Sequence, residues 1–242
     1  MSGHSKWATT HRKKELIDAK RGKIFTKLAK VVTIAARDGK SGDPAMNPSL
    51  RMAIETARAA SMPKDNIDRA IKRGLGEGGG AQIEEIIYEA YAPFGVAMLI
   101  ECLTDNKNRT LGEIKAILNK CNGSLAGSGS VSYLFKKIGQ IIIDESKNST
   151  KGEDLELAII EAGAENFEKE ENLYVIETTF QSLHAVKKAL EDAGITIDTA
   201  EFTQIAETLI DLPDDKKETI MSLVDKIDDL DDINNVFTNL NL

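Results

Sequence analysis

A chain of 242 residues, 41% apolar and 29% charged, has the composition of a soluble globular protein of two or three domains, and wholesale disorder is excluded. No apolar run approaches the roughly 20 residues of a membrane span, and MSGHSKW at the N-terminus lacks the apolar core of a secretory signal. The net charge of −8 conceals a segregation, +9 over residues 1–80 and −17 over residues 81–242, the pattern of a polyanion-binding module on an acidic carrier.

Residues 2–14 mix Ser, His, Trp and basic residues without periodicity and read as a loosely ordered arm. A helix is expected from about Asp18 to Arg37, ended by Gly39, with Ile24, Phe25, Leu28, Val31, Val32 and Ala35 on one side and Lys20, Lys23, Lys27 and Lys30 on the other. Asn47-Pro48 predicts an N-cap with proline at the first helical position, opening a helix to about Ser61. Pro63 opens a third helix with Ile67, Ala70 and Ile71 inward and Gly74 as its C-cap, followed by the flexible exit GLGEGGG.

After Ala81 the period changes. IIYEAYAPFGVAMLIECL predicts a hairpin turning at Ala92–Gly95. Thr110 and Glu113 have capping-box spacing, opening a helix to about Lys120. NGSLAGSGS reads as a mobile connector before a strand, VSYLF. From Gly139 the order is β-α-β-β-α-β, the split βαβ arrangement. ETLIDL, DDKKETIMSLVDKIDDL and INNVF then read as strand, helix and strand, returning to complete the earlier sheet. The expected fold class is therefore α+β and multidomain: a basic helical domain (1–80), a discontinuous α/β domain (81–138 with 205–242) and an inserted ferredoxin-like α/β domain (139–204).

The strongest functional signal is the N-terminal basic group, since cationic side chains bind a phosphate polymer largely through counterion release. Lys6, Lys13, Lys14, Lys20, Arg21, Lys23, Lys27 and Lys30 supply positive density, and Trp7, His4 and His11 sit among them where an aromatic ring stacks on a base or ribose. A solvated lysine face, with Trp7 as a hydrophobic staple, is the plainer alternative. Lys64, Asn66, Arg69, Lys72 and Arg73 form a second cationic group suited to phosphate contact, because nothing there marks a reader of base edges. Arg109, near a helix N-terminus in NKNRT, is placed to meet an anion, although turn and cap roles account for most of that segment. The acidic run DKIDDLDDIN lacks a calcium-loop pattern and reads as a solvated helix end.

Enzyme chemistry finds little support. There is no GxSxG, HExxH or dinucleotide-binding glycine pattern, and Cys102 and Cys121 give neither a disulfide framework nor metal spacing. His184 lies mid-helix with no nucleophile nearby in sequence. No catalytic residue, metal or cofactor is expected.

The opening MSGHSKW, then RGKIFTKL, GDPAMNPSLRMAI, MPKDNIDRAI, TDNKNRT, GSVSYLF and the tail DDINNVFTN, in this order along nearly the whole chain, resemble the YebC/PmpR family, which includes a mitochondrial translational activator. THRKK and KCNGSLAG depart from the family's usual wording, which touches local loop geometry. The resemblance implies a helical domain and two α/β domains, one inserted in the other, and no catalysis. It implies a cytoplasmic DNA-binding transcriptional regulator, or alternatively a ribosome-associated RNA-binding translation factor that relieves stalling on proline-rich stretches. The expectation is a non-enzymatic DNA-binding regulator whose contacts are Lys6, Trp7, Arg12, Lys13, Lys14, Lys20, Arg21, Lys23, Lys27 and Lys30, with Lys64 and Arg73 in support. Its expected partner is nucleic acid (DNA, or ribosomal RNA and the ribosome) and not a membrane; a protein-interaction scaffold is the reading from another class.

Overall fold

The computed structural model describes residues 21–77 and 82–242, and the chain divides into two compact units. One is Phe135–Ile205; the other runs to Leu134 and resumes at Ala206–Leu242. Both are α+β, so the expected fold class holds. Among the described residues no helix is long and apolar enough to cross a membrane.

In the larger unit, α1 (Arg21–Asp38), α2 (Pro48–Ala59) and α3 (Lys64–Gly74) bury Val32 and Ala36, Leu50, Ile54 and Ala57, and Ile67 and Ala70 in a common core. Full burial of each large aliphatic side chain favours folding by roughly 1.5–3 kcal/mol. The expected cap of α2 is present: Asn47 Oδ1 accepts from the Leu50 N–H at 3.0 Å, and Pro48 begins the helix. Gly74 differs from its expected role. It is the last residue of α3, the C-cap is Leu75, and the left-handed residue beyond is Gly76 at φ +84°. Gly74 is needed for close approach instead, since a Cβ there would lie 2.3 Å from the Thr33 carbonyl oxygen of α1.

The sheet of this unit sets Ser124–Leu125 (β3), Glu84–Tyr91 (β1), Ala97–Thr104 (β2) and Ile233–Thr238 (β8) side by side, in the order β3-β1-β2-β8. β1 (Glu84–Tyr91) and β2 (Ala97–Thr104) pair antiparallel as a hairpin, and β8 (Ile233–Thr238) returns to pair antiparallel with β2, as element order implied. Met98, Ile100 and Cys102 of β2 pack with Ile114 and Leu118 of α4 (Lys107–Lys120) and with Ile220, Leu223 and Ile227 of α7 (Asp214–Asp228). Three local expectations change. The cap of α4 is Asn106, whose side chain accepts from the Arg109 N–H, and Thr110 is buried within the first turn. VSYLF is a 3-10 turn over Ser132–Leu134 whose Tyr133 is 70% exposed, and the strand begins only at Phe135. ETLIDL supplies a single bridge, Ile210 to Leu240, in place of a strand.

The Gly/Ser-rich connector is tethered. Ser124–Leu125 forms β3 against β1, and Glu89, a buried residue of β1, accepts from the N–H groups of Gly129, Val131 and Ser132 at 2.6, 2.6 and 2.9 Å. Burial opposes ionisation of Glu89, but these donors outweigh it and hold its carboxyl below the ordinary glutamate value. Its stabilisation is therefore fully present above the unfolded value near 4.3 and is lost as pH falls through the lower folded value. Glu89→Ala is expected to cost about 1–2 kcal/mol and to speed hydrogen exchange at the Gly129, Val131 and Ser132 amides; unchanged exchange there would show that the loop is held by something else.

The smaller unit has the sheet order β5-β6-β4-β7, the ferredoxin-like order. Its strands are β4 (Phe135–Asp144), β5 (Asn166–Glu170), β6 (Leu173–Thr179) and β7 (Thr199–Ala206). Ile141, Ile143, Tyr174 and Ile176 on the strands are buried, as are Leu155 and Ile159 of α5 (Glu153–Glu161) and Leu183, Val186 and Leu190 of α6 (Leu183–Asp192).

Candidate nucleic-acid interface

The residues expected to meet nucleic acid fall into three groups. Lys6, Trp7, Arg12, Lys13, Lys14 and Lys20 lie outside the described residues, and Arg21 is the first residue of α1. Lys64 and Arg73, with Arg69 and Lys72, are exposed on α3. Lys72 and Arg73 occupy its last turn, where cations complement the negative end of the helix dipole.

Lys23, Lys27 and Lys30 follow one another at spacings of four and three on α1, so one face of the helix carries all three. That face meets the chain's own acidic run at the end of α7. Lys23 Nζ donates to the Asp229 carbonyl at 2.9 Å. Lys27 Nζ donates to the carbonyl and the carboxylate of Asp228 at 2.7 and 3.0 Å. Lys30 Nζ donates to the Asp231 carbonyl at 2.9 Å and to Asp232 Oδ1 at 2.7 Å. The last carbonyls of a helix have no intrahelical partner and carry partial negative charge, so a row of ammonium groups caps them. The acidic run, expected as a solvated helix end, is thus engaged by α1.

Asp232 is the fixed point of this contact. It is 4% exposed and precedes β8. Its Oδ2 accepts from Arg109 Nη2 at 2.6 Å, and the hydroxyls of Thr110 and Thr104 lie 2.7 and 3.1 Å from the same oxygen. Arg109 also reaches Asp105 at 3.0 Å, so the anion it meets belongs to the protein. Burial favours the neutral acid, but the ammonium of Lys30, the guanidinium of Arg109 and the Thr110 hydroxyl overcome it and hold the Asp232 carboxyl far below the ordinary aspartate value. A cleft of about 540 Å³ opens beside this cluster, with Lys23, Lys30 and Arg109 facing Asp105, Glu113 and Asp231.

Sequence reasoning identified the lysine face and missed its partner. The available signal was complementarity of sign, because the densest acidic run in the chain, four aspartates within residues 228–232, is a natural counterpart for a stripe of lysines. The other candidate chemical groups have structural roles. The Cys102 thiol is pushed up to about 12, by burial first and then by the Asp232 and Glu101 carboxylates, so it stays protonated at neutral pH. His184 sits edge-on to Phe202 at 5.8 Å. Among the described residues no group of three or more His, Cys, Asp or Glu could hold a metal ion.

Two family models match the chain: the TACO1/YebC protein N-terminal domain over residues 5–77, and the TACO1/YebC second and third domain over residues 83–240. A probable transcriptional regulatory protein from Caldanaerobacter subterraneus subsp. tengcongensis is 47% identical over 100% of this chain and 99% of its own length. A protein of the same description from Geobacter sulfurreducens is 46% identical over 100% of this chain and 96% of its own. The crystal structure of a conserved hypothetical protein from Aquifex aeolicus matches with a TM-score of 0.85 at 40% identity, covering 93% of this chain and 91% of that one. With both domain models matched in order and such relatives aligned end to end, the chain belongs to the YebC/PmpR family.

Proposed function

We propose that the protein is a non-enzymatic, cytoplasmic regulator of gene expression that binds DNA through its cationic N-terminal domain. The observation that carries this reading is the charge segregation: +9 within residues 1–80 of a chain whose net charge is −8. The names of its relatives support a role in transcription. Lys6, Trp7, Arg12, Lys13, Lys14, Lys20 and Arg21 are the contacts proposed from the N-terminal arm and the start of α1, and Lys64 and Arg73 those from α3. Lys23, Lys27 and Lys30 join them only by exchanging their aspartate partners for phosphates. Phosphate contacts of this kind position a protein on the duplex without reading its sequence.

The test is duplex binding by fluorescence anisotropy across a salt series. The logarithm of the association constant should fall by about 0.9 per neutralised phosphate for each decade of salt. Lys64→Ala with Arg73→Ala should weaken binding evenly across duplex sequences and flatten that slope by about 2. An unchanged slope would remove α3 from the interface. Co-sedimentation with ribosomal particles and no duplex affinity would replace DNA with RNA as the target and make the protein a ribosome-associated translation factor.

A further inference from the structure

We infer that the acidic segment Asp228–Asp231 is a built-in competitor for the nucleic-acid site, a strap of carboxylates and helix-end carbonyls that covers the Lys23, Lys27 and Lys30 face and is exchanged for phosphates on binding. The inference rests on the nucleic-acid reading above and adds the regulation of that site. Each of these ammonium groups already has oxygen acceptors at 2.7–3.0 Å, the geometry it would adopt toward a phosphate. The two ends of the contact differ in strength. Asp232 is buried and held by two further threonines and Arg109, so it anchors the segment whether the strap is on or off.

Asp228 has a side chain 35% exposed, and Asp229 and Asp231 are exposed. The Lys27–Asp228 ion pair contributes about 0–1 kcal/mol, little enough for a polymer presenting many phosphates to displace it. The cleft of about 540 Å³ beside Lys23 and Lys30 gives a phosphate room to approach before the aspartates leave. The strap therefore sets a threshold: an isolated anion cannot replace several acceptors at once, whereas a duplex backbone can.

The experiment uses the full chain and a 30-base-pair duplex of random sequence as the probe. Asp228→Asn, Asp229→Asn and Asp231→Asn together should tighten binding about 10-fold, by removing the Lys27–Asp228 ion pair and two further negative charges beside the lysine face. The same change in net charge at the far end of α7, by Asp214→Asn, Asp215→Asn and Glu218→Gln, should leave affinity within about 3-fold, because charges separated by more than a Debye length are largely screened. Adding Lys23→Ala and Lys27→Ala to the first variant, with the Lys30–Asp232 contact left in place, should abolish the gain. In the unaltered protein, saturating duplex should speed hydrogen exchange at the Asp229, Leu230 and Ile233 amides, which close the end of α7 by bonding to Asp225, Ile227 and Leu230. Equal gains from both neutralised sets, or unchanged exchange at those amides, would overturn the strap while leaving nucleic-acid binding intact. Loss of duplex binding in every form, the unaltered protein included, would overturn the functional reading and the strap with it.

Discussion

Replacing Asp232 by alanine is expected to destabilise the larger unit by about 3–5 kcal/mol, the range for removing one partner of a buried charge pair. The reason is what remains. Lys30 loses the carboxylate that neutralises it at 2.7 Å, and the buried Thr104 and Thr110 hydroxyls lose an acceptor they share. Arg109, whose side chain is 47% exposed, can turn toward Asp105 and water, so Arg109→Ala should cost far less. At about 2–4 °C per kcal/mol for a unit of this size, Asp232→Ala should lower the thermal midpoint by roughly 10 °C. The pH dependence has a definite sign. The folded carboxyl is held below its unfolded value near 3.9, so its contribution is complete above that value and disappears as pH falls through the folded one. Unaltered protein should lose stability toward pH 3 more steeply than the alanine variant. A midpoint within 2 °C of the parent, or parallel acid titrations, would show that the cluster is not holding the unit together.

Gly74→Ala should destabilise the protein by about 2–3 kcal/mol, the cost of overpacking a close helix contact. Helix propensity alone predicts the opposite sign, since alanine is favoured over glycine in a helix by about 1 kcal/mol. Steric contact wins because the added methyl would meet backbone: its centre would lie 2.3 Å from the Thr33 carbonyl oxygen and 2.8 Å from Ala36 Cβ. Neither can swing aside as a side-chain tip would, so α1 and α3 must separate. Thr33 Oγ, placed 3.1 Å from the Ala70 carbonyl, would lose that contact as the helices part. A raised midpoint in thermal unfolding would refute the packing argument, and serine at the same position should behave as badly as alanine.

What was readable in the sequence follows from the range of the forces involved. Asn47-Pro48 was recognisable because capping is settled within four residues, and the side chain does accept from Leu50. The return of β8 to β2 was recognisable because three leftover elements need an existing sheet. Gly74 was misassigned because glycine has two uses, a left-handed cap or a close approach, and only the fold brings Thr33 to it. Thr110 offered a capping-box spacing, but Asn106 took the cap while the Thr110 hydroxyl met Asp232, more than a hundred residues away in the chain. The lysine face of α1 was correctly drawn as a stripe; periodicity cannot say that the stripe faces Asp228–Asp232. Glu89 gave no signal, because a single glutamate within a strand does not disclose that three amides of a glycine-rich loop converge on it.

The sheet order β3-β1-β2-β8 has a consequence for biosynthesis. The ribosome makes the hairpin of β1 and β2 early and the strand that covers its outer edge last, after the whole unit Phe135–Ile205 has been translated. A nascent chain that has not yet reached Asp232 exposes an unpaired strand edge and an uncompensated row of ammonium groups together. Premature termination within the final turns of α7 therefore yields a sticky fragment with an open strand edge and an uncovered lysine face, and such truncated products are natural targets for proteolytic clearance.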